Sequence, residues 1–244
     1  MSAATQTHAH GEADHHGPLH HQFEDLDQQN ETYLVGMWAF LVTEIMFFGA
    51  LFLMYALYRW QYQNDFYLTH EALWQKFDFQ GKQVAFPLLG TINTVVLLVS
   101  SFLMAISVHF AQLKERVKVL ACLTGVQGCA LMFLVIKGME WSHKLEEGVF
   151  PGTFFTTNPE HVHNANLNIA HLFFGVYFSM TGLHGLHVII GMVVIGVLML
   201  MWAGKNKLVT EDYIPTEMIG LYWHFVDIVW IFLFPLFYLI PKPH

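Results

Sequence analysis

An all-α integral membrane bundle of five transmembrane helices is predicted by three observations on this 244-residue sequence. Hydrophobic residues make up 55% of it and charged residues only 12%, a balance outside the range of soluble domains. Mean hydropathy is +0.42. The apolar residues gather into five stretches: Leu34 to Leu57, Phe86 to Phe110, Val119 to Ile136, Ile169 to Trp202, and Met218 to Ile240. Each holds at least about 18 residues, near the length an α-helix needs to cross roughly 30 Å of hydrocarbon.

Before the first span, residues 1–32 form a polar tail, leaving 33–244 as the membrane domain. The tail carries six histidines among its first 21 positions and no Lys or Arg. It lacks the charge and the apolar core of a secretory signal, and an acidic segment makes a poor transit peptide. It is expected to be disordered or surface-bound. Its histidines would bind divalent metal adventitiously, without the pre-organisation of a selective site.

The first span places Glu44 near its middle, within Thr43-Glu44-Ile45-Met46-Phe47-Phe48. A charged carboxylate is disfavoured at that depth, so a proton shared with a polar neighbour is expected. Proton exchange and a neutral interhelical hydrogen bond both remain open. The loop from Arg59 to Ala85 mixes aromatic with polar residues, as expected of a segment lying against lipid headgroups. The second and third spans have a short connection, which predicts antiparallel neighbours. Cys122 and Cys129, seven apart on the third span, suit packing and neither a disulfide nor a metal site. Glu140 reads as a solvated helix end, and a long loop with turn signals at Pro151-Gly152 and Asn158-Pro159 follows.

The fourth stretch, at 34 residues, would run to roughly 51 Å as a helix, so it must tilt or emerge into water. Gly175, Ser179 and Gly182 let another helix approach it closely. It carries His171, His184 and His187 without an adjacent acid. The last span sets His224 and Asp227 three apart in Tyr222-Trp223-His224-Phe225-Val226-Asp227-Ile228-Val229-Trp230, a spacing that puts both on one helix face as a satisfied polar pair. The span histidines lack the two-helix, two-depth matching of a membrane cytochrome, so no metal site is expected, and no basic patch suggests nucleic acid. Lysine and arginine divide almost equally between the two sides. The dense group Lys114, Arg116, Lys118 in the shortest loop favours an inside N-terminus and an outside C-terminus.

Four motifs in order resemble those of subunit III of the haem-copper oxidases. The Tyr222 to Trp230 segment resembles its last-helix signature, and Thr181-Gly182-Leu183-His184-Gly185-Leu186-His187-Val188-Ile189-Ile190-Gly191 its TGxHGLHVxxG helix. Pro87 to Leu98 resembles its PLLNTxxLL segment, and Thr43-Glu44 with Phe47-Phe48 its SExxFF site. The likeness spans roughly Gly36 to Tyr238. It implies a noncatalytic helical subunit with no catalytic residue, haem or copper of its own; those cofactors would sit in partner subunits. It implies direct contact with subunit I, a place beside subunit II and other subunits of a respiratory complex, and bound phospholipid.

By the same resemblance Glu44 matches a carbodiimide-reactive carboxylate suspected in proton movement. The subunit would sustain proton uptake and protect subunit I from inactivation while the complex, of aa3 or caa3 type, reduces oxygen with electrons from cytochrome c. Seven spans in the mitochondrial type against five here point to a bacterial cell membrane. The basic residue that the family carries late on the long helix is not evident: Met201 and Trp202 stand there, with Lys205 and Lys207 just beyond as candidate lipid-headgroup contacts. A quinol oxidase or a nitric oxide reductase-associated homologue is the nearest rival. A haem-binding membrane cytochrome and a proton-coupled transporter are rivals of a different class.

Overall fold

The computed structural model describes residues 25–70, 73, 75–79, 82–148, 150, 166–210 and 212–242. Among them are seven helices: α1 Leu26–Gln61, α2 Gln63–His70, α3 Leu88–Gln112, α4 Arg116–Glu146, α5 Leu167–Ala203, α6 Lys207–Thr210 and α7 Ile214–Tyr238. Five of these, α1, α3, α4, α5 and α7, are long and apolar enough to cross a membrane, as predicted. A small antiparallel hairpin, β1 Gln75–Phe79 and β2 Lys82–Phe86, with Gln75 opposite Phe86, is added between α2 and α3. Most of the tail, and the loop bearing Pro151-Gly152, Asn158-Pro159, His161 and His163, lie outside the described residues.

A seven-residue period organises the bundle. Buried positions on α3 run Asn93, Leu97, Ser100, Met104, Ser107, Ala111. On α4 they run Val119, Leu123, Val126, Ala130, Phe133, Lys137, Glu140, Lys144. The α5 series His184, Val188, Gly191, Ile195, Leu198, Trp202 and the α7 series Thr216, Gly220, Trp223, Asp227, Trp230 alternate steps of three and four in the same way. That is the pattern of knobs-into-holes packing between helices crossing at a shallow angle. Small residues make room for large ones along it. A Cβ on Gly191 would stand 2.8 Å from the Trp223 ring, and one on Gly90 2.8 Å from Phe234.

Three buried tryptophans line the seams, and each indole N–H meets a hydroxyl on another helix. Trp230 donates to Thr94 at 3.1 Å, Trp223 to Ser100 at 2.9 Å and Trp202 to Thr216 at 3.2 Å. In a membrane interior, where water is scarce, such pairing removes the penalty of a buried donor.

One expectation is corrected. The α4 helix continues ten residues past Ile136, to Glu146, because its seven-residue seam persists through Lys137, Glu140 and Lys144. Within the segment that follows α1, α2 packs on α5, and Phe66 is wholly buried, edge-on to Tyr55 and Phe173.

Helix ends on one side of the bundle are closed tightly. Lys114 and Lys205 take left-handed conformations, with φ of 56° and 54°. Each sits where glycine usually ends a helix, and the amide that follows reaches back five residues: Glu115 N to Phe110 O, and Asn206 N to Met201 O, a Schellman closure. Arg116 donates from Nε to Trp202 O at 2.8 Å and from its terminal nitrogen to Ala203 O. A cation thus covers the negative end of the α5 dipole.

Candidate functional site

Glu44 faces α5 from the middle of α1. Its Oε2 lies 3.1 Å from Nε2 of His187, and both side chains are mostly enclosed. Phe48 presents its ring to the imidazole with centroids 5.1 Å apart, and Phe47 stacks at 6.5 Å. Tyr222 donates to the backbone oxygen of His187 at 3.1 Å, fixing that turn of α5 against α7.

The proton count at this contact follows from hydrogen-bond chemistry. His187 Nδ1 lies 2.7 Å from Leu183 O, and a carbonyl only accepts, so Nδ1 carries a hydrogen. A neutral imidazole then offers a bare Nε2, which cannot meet a bare carboxylate oxygen. The 3.1 Å contact requires one proton between them, held as carboxyl with imidazole or as carboxylate with imidazolium. Either form is neutral as a pair, which suits a low-dielectric setting.

His224 and Asp227 are not partners of each other, contrary to the expected polar pair. His224 Nδ1 meets Ser101 Oγ of α3 at 2.7 Å, while its ring also lines an apolar groove between α1 and α7. Asp227 points into the bundle, 2% exposed, beside Ser101, and neither carboxylate oxygen has a protein partner at hydrogen-bond geometry. Three positions on a helix share a face only approximately, and the seam divides these two. Lys205 and Lys207 are both exposed beyond the end of α5. A guanidinium stands at the level of Met201 and Trp202 after all, supplied by Arg116 of α4 rather than by α5.

The second polar centre has no counterpart in the sequence reading. Glu140, which its sequence context presents as a solvated helix end, is 3% exposed, and Lys137 is 8% exposed. Lys137 Nζ donates to Glu140 Oε2 at 3.1 Å, to Tyr177 at 3.1 Å and to Tyr238 at 2.8 Å. Tyr177 donates to Glu140 Oε1 at 2.5 Å, and Tyr238 donates to the same oxygen. Every proton of the ammonium and of both phenols is thereby committed. The ammonium also lies 4.9 Å from the centroid of Trp230, a cation–π contact strengthened by desolvation. A closed set of this kind ties α4, α5 and α7 together and offers no free donor to pass onward. The missed signal was the period: Lys137, Glu140 and Lys144 continue the steps of three and four that begin at Val119.

His184 sits between these centres. Its ring stacks on Trp230 at 5.4 Å and meets Phe133 edge-on at 5.6 Å, and neither nitrogen has a protein partner. Among the described residues, no three His, Cys, Asp or Glu side chains converge as a metal-binding group.

Comparison with known proteins places these features in context. Residues 152–241 match the family described as Cytochrome c oxidase subunit III. The probable quinol oxidase subunit 3 of Staphylococcus saprophyticus is 28% identical over 91% of this chain and 97% of its own length. The cytochrome c oxidase subunit 3 of Thermostichus vulcanus is 27% identical, over 86% of this chain and 88% of the relative. The haem-copper oxidase subunit I+III of Aeropyrum pernix is 26% identical over 84% of this chain, which spans only 22% of that longer polypeptide.

Proposed function

We propose that this chain, which belongs to the haem-copper oxidase subunit III family, stabilises catalytic subunit I of a bacterial aa3- or caa3-type cytochrome c oxidase and supports its proton uptake. The family makes it a subunit of a cytochrome c or quinol oxidase complex. The rest is our reading. The single observation that carries it is the 3.1 Å contact between Glu44 Oε2 and His187 Nε2 across α1 and α5. A carboxylic acid at such depth in a membrane helix is costly, and is by default a functional-site hypothesis with its partner named.

In this reading the chain holds no catalytic centre. Haem and copper lie in the partner subunits, where oxygen is reduced to water. Direct contact with subunit I is supported by the Aeropyrum pernix relative, whose name joins subunits I and III in one polypeptide. Phospholipid headgroups meet Lys205 and Lys207, and subunit II lies elsewhere in the complex. The complex sits in the bacterial cell membrane, with the Lys114–Lys118 side cytoplasmic and the C-terminal end of α7 outside.

The test is to purify the complex with and without this chain and follow oxygen consumption over many turnovers. The depleted enzyme should start at a comparable rate and inactivate sooner, and Glu44→Gln in the intact complex should shorten the active lifetime in the same direction. An unchanged lifetime in both would overturn the proposal. A quinol-oxidising complex is the second reading, favoured by the near full-length match to the Staphylococcus saprophyticus subunit. Oxidation of a reduced quinone by the purified complex, without cytochrome c, would decide for it.

A further inference from the structure

We infer that bound water occupies the core of the α3–α4–α5–α7 bundle at two adjacent levels, one serving His184 and Asn93, the other Asp227 and Ser101. In this bundle each of the three seam indoles finds a hydroxyl, and Lys137 and Glu140 are completely partnered. Against that economy, both nitrogens of His184, both amide atoms of Asn93 and both oxygens of Asp227 are enclosed with no protein partner at hydrogen-bond geometry. The three residues are 1%, 0% and 2% exposed. Leaving one such group unpaired is costly, and these lie on three different helices.

Their placement groups them. Trp230 stacks on His184 and donates to Thr94, the residue after Asn93, so His184 and Asn93 belong to the level of Trp230. Asp227 is one turn earlier on α7, beside Ser101 of α3, whose hydroxyl also meets His224. Internal water needs about two to four polar partners and a polar surround. The first level offers an imidazole and a carboxamide, the second a carboxyl and a hydroxyl. Replacement by a metal ion is a poorer account, since no third ligating side chain joins either level among the described residues. The unpaired oxygen of Gln127, beside Met192 and Gly196 on α5, and the unpaired indole nitrogen of Trp141, beside Gly182 and Phe178, stand apart.

The experiment is a cryo-electron-microscopy map of the chain, purified with whatever it co-assembles with, at a resolution where ordered water is visible. Water density is expected within hydrogen-bond distance of a His184 nitrogen and, separately, of an Asp227 oxygen. Asp227→Leu should remove the second and leave the first; if that variant fails to assemble, His184→Phe should do the converse. Water at neither level or at only one, or side chains rotated onto protein partners, would overturn the inference.

Discussion

Tyr177 and Tyr238, 61 positions apart on α5 and α7, give their hydroxyl protons to one and the same oxygen of Glu140. The other oxygen is left to Lys137, so a single buried carboxylate ties together groups from three helices.

Breaking this set from one side should be costly. Glu140→Leu leaves the ammonium of Lys137 without its counter-charge, and removal of one partner of a buried pair costs about 3–5 kcal/mol. Lys137→Met with Glu140→Leu should recover much of that loss. Thermal unfolding of the detergent-solubilised complex would measure both, and a double variant no more stable than the single would argue against the charge pairing.

At the α1–α5 contact, Glu44→Gln keeps a hydrogen-bond donor for His187 Nε2 but cannot carry an exchangeable acid proton. The complex should therefore assemble normally and lose carbodiimide labelling at this position. His187→Phe should increase labelling, because a carbodiimide attacks the carboxylic acid and the competing base is gone. Mass spectrometry of the labelled chain reads both outcomes.

Two glycines on one helix make an internal control. Gly191→Ala drives a methyl to 2.8 and 2.9 Å from atoms of the Trp223 ring and should cost about 1–3 kcal/mol. A Cβ on Gly185 meets nothing within 4 Å, so Gly185→Ala should be neutral or gain up to about 1 kcal/mol from helix propensity. The difference in melting temperature between the two variants checks this.

Arg116→Gln should release the carbonyls of Trp202 and Ala203. Charge-assisted hydrogen bonds of this kind contribute about 1.5–3 kcal/mol. Hydrogen exchange should quicken first in the last turn of α5, ahead of any loss elsewhere in the helix. Uniform acceleration along α5 would mean that the guanidinium does not act as a local cap.

Apolar length located the five spans because hydrocarbon thickness constrains it so strongly. The ends were harder to read. Lys137 and Glu140 look like a helix terminus to any scale that counts charge, whereas the seven-residue spacing from Val119 carries the seam straight through them. Glu44 stood out as an isolated acid, but its partner is 143 positions away, and no local pattern joins α1 to α5. The His224–Asp227 spacing misled for the opposite reason: closeness along a helix says nothing of which neighbour each side chain faces. Arg116 was counted only as a loop charge, since its role depends on where α5 ends.

The neutrality of the Glu44–His187 pair has an electrical consequence. Passing the proton between the two moves charge by about 1 Å, a small part of the roughly 30 Å hydrocarbon thickness. A membrane potential contributes about 2.3 kcal/mol per charge per 100 mV across the full span, so the internal transfer feels less than about 0.1 kcal/mol. Voltage therefore has almost no grip on which residue holds the proton. On the proposed reading, it would act only when a proton arrives from one side or departs to the other, so that the filling of the pair, rather than its internal arrangement, would be coupled to the energised membrane.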